Sequence, residues 1–88
     1  MNKDNLKNAT PIGIKYNLGE FEDRKELYEI LESGLYGCKN EDGEDVLVFF
    51  EKDEGMDIHT FQDNGWLRVN YFNNEGYSDG ETFKGRWK

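Results

Sequence analysis

Residues 36–87 read YGCKNEDGEDVLVFFEKDEGMDIHTFQDNGWLRVNYFNNEGYSDGETFKGRW and contain an Asx-Gly pair three times, at Asp42-Gly43, Asn64-Gly65 and Asp79-Gly80. A run rich in apolar and aromatic residues follows each pair. Asx and Gly accept the positive φ angles that tight hairpins require. The stretch therefore predicts an antiparallel meander, in which strands joined by short turns are neighbours in one sheet.

The turn residues divide this stretch into strands with a period of two. We expect strands at 36–39, 45–52, 56–62, 66–72 and 82–87, with a weaker first strand at 12–18 on the edge of the sheet. Residues 46–50 are apolar at every position, which is typical of a central strand covered on both faces. The polar residues 1–11 are expected to form a flexible N-terminal tail.

Upstream of the meander, the period changes to that of a helix. Leu27, Ile30 and Leu31 lie on one helical stripe, and charged residues cover the rest. Asp23 and Glu26 have the spacing of a capping box, and Gly34 suits the position after a helix C-terminus. The pattern predicts a helix at about 22–33.

These elements predict an α+β fold: one helix packed on a curved, mainly antiparallel meander sheet of four to six strands. A chain of 88 residues supports a single domain, 1–88, with one modest core. One helix covers only one face of a sheet. The sheet therefore either curls into a barrel-like shape or leaves a surface for a partner.

The net charge of −8 is concentrated in residues 20–57. A negative field opposes binding to nucleic acid and to acidic membranes, and it favours a basic partner or simple solubility. The single cysteine excludes an internal disulfide and is compatible with a reducing cytosol. Because the sequence shows neither a membrane span nor a secretion signal, we expect a cytoplasmic protein without membrane contact.

Few residues in the sequence could carry out catalysis. Cys38, Asp57 and His59 are the candidates for a nucleophile, an orienting acid and a base, but no local signature marks them. One cysteine and one histidine form no paired zinc motif, and the glycines have no phosphate-loop spacing. We therefore expect no enzyme activity, no cofactor and no metal.

The leading functional hypothesis is a small, acidic, non-enzymatic binding module that acts through protein–protein contact. Its first candidate surface is a ridge of helix carboxylates, Glu22, Glu26 and Glu29, which the acidic residues of 41–45 extend. Its second is an uncovered sheet face with the aromatic residues Trp66 and Phe72 as anchors. The partner is expected to be another protein, and a basic one is favoured by the charge. The oligomeric state and the strand order are left open.

Two alternative functions are compatible with the same sequence. An acidic ridge can imitate phosphates, which describes a nucleic-acid mimic that inhibits a DNA-binding protein; in composition the chain resembles small accessory proteins of bacteria and phages. The second alternative is a single-stranded nucleic-acid binder that uses the basic and aromatic residues Trp66, Arg68, Arg86 and Trp87. In that reading, residues 82–88 alternate, with Phe83 and Trp87 on one side and Lys84, Arg86 and Lys88 on the other.

Overall fold

The computed structural model describes residues 3–13 and 16–88. It confirms the α+β fold, with one main helix on a curved, six-stranded sheet that is mostly antiparallel and does not close into a barrel. The strands lie in the sheet in the order in which they occur in the chain. The predicted meander is therefore confirmed.

The elements follow one another with short connections. In chain order they are a 3₁₀ helix at Lys3–Asn8, β1 at Thr10–Pro11, α1 at Phe21–Ile30, β2 at Gly34–Lys39, β3 at Asp45–Glu51, β4 at Gly55–Phe61, β5 at Trp66–Asn73 and β6 at Ser78–Arg86. β1 runs parallel to β2, and every later neighbour pair is antiparallel.

The turns form as predicted, but glycine alone supplies the positive φ. Gly43, Gly65 and Gly76 have φ of 79°, 95° and 91°, and no other residue type in the described chain has a positive φ. Each of these glycines donates its N–H to the carbonyl three residues earlier, which is the pattern of a type I turn followed by a left-handed glycine. The third Asx-Gly pair, Asp79-Gly80, is different because it lies inside β6.

The helix is shorter than predicted. α1 ends at Ile30, and Leu31 is already extended, with ψ of 150°. Gly34 is not a helix cap; it pairs with Phe50 as the first residue of β2. The ladder requires extended backbone before Gly34, and this requirement overrides the helical pattern of residues 31–33.

The predicted capping box is also absent. The N-cap of α1 is Glu20, whose side chain makes no cap hydrogen bond. Asp23 instead accepts a 2.7 Å hydrogen bond from the backbone N–H of Asn17. The carboxylate of Asp23 therefore holds the loop that enters the helix.

The first strand lies earlier than predicted. Of the predicted range 12–18, residues 14 and 15 are outside the described residues, and the others are not in a strand. Thr10–Pro11 pairs with β2, and the N–H of Ile12 donates to the Gly37 carbonyl oxygen at 2.9 Å. Leu6 and Ala9 pack against the sheet. The flexibility of the N-terminal tail stays a prediction.

The sheet has a hydrophobic core on each face. On the helix-side face, the face on which α1 packs, Val48 and Phe50 contact Leu27 and Tyr28 within one cluster. The second cluster, on the opposite face, contains Leu47, Phe61, Leu67 and Val69, with Leu6 and Trp87 packed against it. β3 is buried from both sides, as its run of apolar residues predicted.

An irregularity in β6 changes the predicted orientation of the C-terminal residues. Trp66 pairs with Arg86, but Arg68 pairs with Phe83, so β6 has one extra residue between these pairs, where Gly85 has φ of 83°. Such a bulge reverses the alternation of side chains. Phe83 and Arg86 therefore lie on the helix-side face, and Trp87 packs on the opposite face. The predicted placement of Phe83 with Trp87 is wrong.

Candidate binding groove

The helix leaves part of the helix-side face uncovered. α1 has ten residues, so it is about 15 Å long. It covers the end of the face that holds Phe50 and Met56. Beside it lies a groove of about 820 Å³, whose floor is formed by β2–β5 and whose walls are residues 16–20 and the hairpin 39–44.

The wall formed by residues 16–20 is attached to α1 by hydrogen bonds. The side-chain oxygen of Asn17 accepts the N–H of Gly19 at 2.9 Å, which folds the loop into an Asx turn. Arg24 is buried; its Nη1–H donates to the Leu18 carbonyl oxygen at 2.9 Å and its Nε–H to the Gly76 carbonyl oxygen at 3.1 Å. Arg24 therefore ties this wall, the helix and the β5–β6 turn together.

The second wall is the β2–β3 hairpin, which Asn40 organises. The side-chain oxygen of Asn40 accepts the N–H groups of Asp42 and Glu44 at 3.0 and 2.9 Å, and its Nδ2 donates to the Glu44 carboxylate at 2.9 Å. Nδ2 of Asn17 donates to the Glu41 carboxylate at 2.5 Å. This last bond connects the two walls across the groove.

The floor of the groove is apolar at one side and polar at the other. Cys38, Val46 and Ile58 contribute apolar surface, and Thr60, Gln62 and Asn70 contribute polar groups. The side-chain oxygens of Gln62 and Asn70 are shielded from solvent and accept no hydrogen bond from the described residues. Buried carbonyl oxygens normally have a donor, so these two shielded oxygens are exceptions within the described part of the chain.

The charge that remains free in the groove is negative. Its lining contains the acidic residues Glu20, Glu41, Asp42 and Glu44 and the basic residues Lys39 and Arg68. Both bases are already paired, Lys39 with Asp45 at 2.7 Å and Arg68 with Glu81 at 2.8 Å. Because Asp45 and Glu81 are not part of the lining, the positive charge inside the groove is largely neutralised from outside.

The predicted anchor Trp66 lies at the open end of this surface. Its side chain is 42 % exposed, and the Arg86 guanidinium carbon lies 5.4 Å from its ring centre. Phe83, which the sequence did not suggest as an exposed residue, is 55 % exposed on the same face. We call Trp66 and Phe83 the aromatic pair. Phe83 is the cross-strand neighbour of Arg68, a groove residue, so the pair continues the groove toward the sheet edge.

Phe72, the other predicted anchor, is not exposed as expected. It is half-buried at the helix end of the groove, where the Arg24 guanidinium carbon lies 4.0 Å from its ring centre. The alternation of β5 correctly predicted that Phe72 lies on the same face as Trp66. It could not predict that Arg24, from the helix, covers the Phe72 ring.

The helix carboxylates Glu22, Glu26 and Glu29 are exposed and lie outside the groove. Of the acidic residues that were expected to extend this ridge, Glu41, Asp42 and Glu44 line the groove. Asp45 is paired with Lys39 and Lys3, and hydrogen bonds from these ammonium groups hold the pKa of its carboxyl below the ordinary value. The acidic residues therefore divide between the outer side of α1 and the groove.

The four residues of the nucleic-acid alternative do not share one surface. Trp87 packs edge-on against Phe61 with ring centres 5.7 Å apart, and its Nε1–H donates to the Gln62 carbonyl oxygen at 2.8 Å. Arg68 is occupied by Glu81. Trp66 and Arg86 remain adjacent on the helix-side face.

Cys38 and His59 lie on opposite faces of the sheet, so the nucleophile and base considered above do not meet. Cys38 packs with the helix-side core, and burial raises the pKa of its thiol to about 11. His59 pairs with Leu47 and packs against Phe49, with ring centres 4.8 Å apart. Burial lowers the pKa of His59, despite the nearby carboxylate of Asp57.

The described part of the chain comprises residues 3–13 and 16–88. No group of three or more Cys, His, Asp or Glu side chains in these ranges is arranged to hold a metal ion. Within the same ranges, every helix is too short or too polar to cross a membrane.

Comparisons with known proteins do not assign the fold to a family. No family model, no curated protein and no solved structure matches the chain. The chemistry of the groove and of the aromatic pair is therefore the basis for a functional assignment.

Proposed function

We propose that this protein is a non-enzymatic binding module that holds another protein on the uncovered half of its helix-side face. The observation that carries the proposal is that a groove of about 820 Å³ continues into the exposed aromatic pair, Trp66 and Phe83. A concave polar site and an adjacent aromatic surface together suit a polypeptide that inserts side chains into the groove and rests on the rings.

The exposed aromatic rings are the expected source of binding energy. Tryptophan is enriched among the few interface residues that dominate affinity, because a large rigid ring buries much area at little cost in conformational entropy. Arg86 donates to the Asn64 carbonyl oxygen at 3.3 Å and lies beside Trp66. This hydrogen bond keeps the guanidinium of Arg86 beside the indole ring.

The outer edge of the sheet is less suited to binding by strand addition. β6 is exposed along its length, but it contains two register shifts and the positive-φ glycines Gly80 and Gly85. Bulges and charged side chains such as Lys84 are the features that protect sheet edges from pairing. We therefore place the contact on the side chains of the face.

The cysteine chemistry supports a binding role in a reducing compartment. A thiol whose pKa is raised to about 11 is almost entirely protonated at neutral pH, and it is a poor nucleophile in that form. His59, on the opposite face, is not placed to activate it. A single cysteine forms no internal disulfide and is compatible with a reducing cytosol, so we infer a cytoplasmic location for the module.

Site-specific photo-crosslinking identifies the partner and tests the surface. A benzophenone amino acid is introduced in place of Phe83 and, as a control, in place of Ile30, which is 57 % exposed on α1. Both variants are irradiated in extract of the source cells, and captured proteins are identified by mass spectrometry. We expect a protein that is captured from position 83 and not from position 30.

The captured protein is then purified, and its affinity is measured by calorimetry. Trp66→Ala and Phe83→Ala should each weaken binding by about 2 kcal/mol, roughly thirty-fold in Kd, if the rings are central anchors. Ile30→Ala removes a similarly exposed apolar side chain outside this face and should change Kd less than two-fold. Equal effects of all three substitutions would refute the proposal.

The nucleic-acid mimic is the second candidate, and the exposure of Glu22, Glu26 and Glu29 favours it. These carboxylates form no salt bridge within the described part of the chain. This candidate requires a basic DNA-binding partner whose affinity falls steeply with salt. Replacing the three glutamates by glutamine should then abolish binding, whereas Trp66→Ala should leave the affinity unchanged. The reverse pattern would exclude the mimic.

A further inference from the structure

We propose that Asn64 is a site of covalent modification by spontaneous deamidation, in which the backbone nitrogen of Gly65 converts the side-chain amide into a carboxylate without an enzyme. Asn64 is exposed in the turn between β4 and β5, and it is followed by Gly65 and Trp66. Asn64-Gly65 is the single Asn-Gly pair in the chain.

The reaction consumes water and releases ammonia. The Gly65 nitrogen loses its proton to a base in the solvent and attacks Cγ of Asn64, which forms a new N–C bond. The bond between Cγ and Nδ2 then breaks, and Nδ2 leaves as ammonia after taking a proton from water. Water adds to either carbonyl carbon of the resulting cyclic imide and opens the ring, which gives aspartate or isoaspartate at position 64.

The residue after Asn64 distinguishes it from three asparagines that make the same local hydrogen bond. Four asparagine side-chain oxygens within the described residues accept the N–H of the residue two positions later, and they belong to Asn17, Asn40, Asn64 and Asn73. This bond closes a ring around the peptide bond after the asparagine, which keeps Cγ near the nitrogen that attacks it. Glycine follows Asn64, whereas Leu18, Glu41 and Asn74 follow the others. Gly65 therefore has no side chain that shields its nitrogen.

The hydrogen bonds of the Asn64 amide favour attack at its carbon. Its Oδ1 accepts the N–H of Trp66 at 3.0 Å, and a donor aimed at this oxygen stabilises the negative charge that develops there. Its Nδ2 donates to no acceptor in the described part of the chain, so it leaves without the loss of a hydrogen bond. The Nδ2 groups of Asn17 and Asn40, in contrast, donate to carboxylates.

Arg86 favours the deprotonated form of the attacking nitrogen. Its guanidinium lies against Gly65, where an added Cβ would collide with Nη2, and the same Nη2 donates to the Asn64 carbonyl oxygen at 3.3 Å. A positive charge beside an N–H group stabilises the anion that remains when the proton leaves. The Gly65 N–H also donates to the Gln62 carbonyl oxygen at 2.9 Å, so this hydrogen bond must open before the attack.

The modification changes the surface that carries the aromatic pair. It adds a carboxylate next to Arg86 and Trp66, and isoaspartate also lengthens the main chain of the turn by one carbon atom. The effect on a partner rests on the proposed function. The reaction itself is measured on the free protein, so either result can fail without the other.

Peptide mapping by mass spectrometry tests the inference on the full chain. The protein is incubated in mildly alkaline buffer, and samples taken at successive times are digested and fragmented. We expect the small mass gain that separates an acid from an amide at Asn64, with aspartate and isoaspartate as chromatographically distinct products. Asn17, Asn40 and Asn73 serve as internal controls and should stay intact over the same time. An unchanged Asn64, or equal modification of the four asparagines, would overturn the inference.

Three variants test the chemistry of the site. Asn64→Gln keeps the amide on a side chain one carbon longer and should stop the modification. Arg86→Gln should slow it about three-fold or more, because the charge next to the attacking nitrogen is removed. Lys84→Gln is the control, since the Lys84 charge acts on His59 at the opposite face, and it should change the rate less than about two-fold. A rate in Arg86→Gln that is equal to or faster than that of the unsubstituted chain would contradict the role of Arg86.

Discussion

The two halves of the helix-side face are built from the same strands, yet they differ in what they bury. Under α1, Val48, Phe50 and Met56 are fully buried. Away from α1, at Thr60 on β4 and Asn70 on β5, the face becomes polar and lines the groove. The backbone ladder continues through both halves without interruption in β3 and β4. The difference therefore lies in the side chains and in the length of the helix.

The two halves of the face differ in how much they contribute to stability. A helix of ten residues covers enough of the sheet for one core, and the rest of the face is free to carry polar groups. An 88-residue domain has a stability of about 4–13 kcal/mol, and its buried clusters lie under α1 and on the opposite face of the sheet, outside the open half. Substitutions in the two halves should have very different consequences.

The largest expected effect comes from the covered half. Leu27 is 1 % exposed, and Leu27→Ala should reduce the free energy of unfolding by about 2–5 kcal/mol, because it removes buried methyl groups and leaves a cavity. Asn70→Leu, in the open half, should be neutral or slightly stabilising, because it replaces an amide whose oxygen has no donor among residues 3–13 and 16–88. Urea unfolding followed by tryptophan fluorescence measures both. Similar losses of unfolding free energy in the two variants would show that the two halves contribute equally to stability.

The two hairpins at the ends of β3 provide the next test. A Cβ at Gly55 would collide with the backbone of Phe72, whereas the space around Gly43 is open; their φ angles are 133° and 79°. Both alanine variants incur strain of about 1–3 kcal/mol, and Gly55→Ala should lie at the upper end because the neighbouring strand must also move. In thermal unfolding, the melting temperature of Gly55→Ala should be lower than that of Gly43→Ala. The opposite ranking would contradict the description of the β3–β4 turn.

Arg24 joins the two halves, so its substitution should affect both. Arg24→Lys should cost about 1–3 kcal/mol, because a lysine cannot serve both the Leu18 and the Gly76 carbonyl oxygens and loses the stacking on Phe72. The amide resonances of residues 17–19 should shift as that wall of the groove loosens. Lys25→Arg, at the exposed neighbouring position, is the control and should change neither quantity. Full stability in Arg24→Lys would show that the buried hydrogen bonds are dispensable.

The smallest expected effect is a pH dependence of stability that comes from His59, on the opposite face of the sheet. Burial lowers the pKa of His59 below the ordinary value of 6.5, so the unfolded chain binds a proton more readily than the folded one. Stability should therefore fall as the pH is lowered from 7.5 to 5.5, through the unfolded value. His59→Leu should lose less stability over this window, which calorimetric melting at the two pH values measures. An identical pH response in both proteins would show that His59 does not contribute.

Much of the fold follows from local signals in the sequence. The turns at Gly43, Gly65 and Gly76 and the apolar run of β3 identify a meander, because these features act within a few residues of one another. The errors have nonlocal causes. The helix ends early because Gly34 must enter a ladder with Phe50, and β1 forms where Thr10–Pro11 meets β2. Neither pairing is visible in the segment that it alters.

The candidate site could be predicted only in part. Trp66 was identified correctly as an exposed aromatic residue because β5 alternates regularly. Phe83 was missed because the bulge near Gly85 reverses the alternation of β6. The positive-φ requirement of a glycine inside a strand is the signal that could have indicated it. The groove itself depends on how far α1 extends over the sheet, which no short pattern specifies.

The two tryptophans lie on opposite faces of the sheet, so their indole N–H resonances provide the most direct test of the uncovered half as the binding surface. The labelled protein is compared with and without the partner that position 83 captures. We expect the indole signal of Trp66 to shift or broaden on binding while the signal of Trp87 stays in place. A shift of the Trp87 signal with an unchanged Trp66 signal would place the contact on the opposite face and refute the uncovered half as the binding surface.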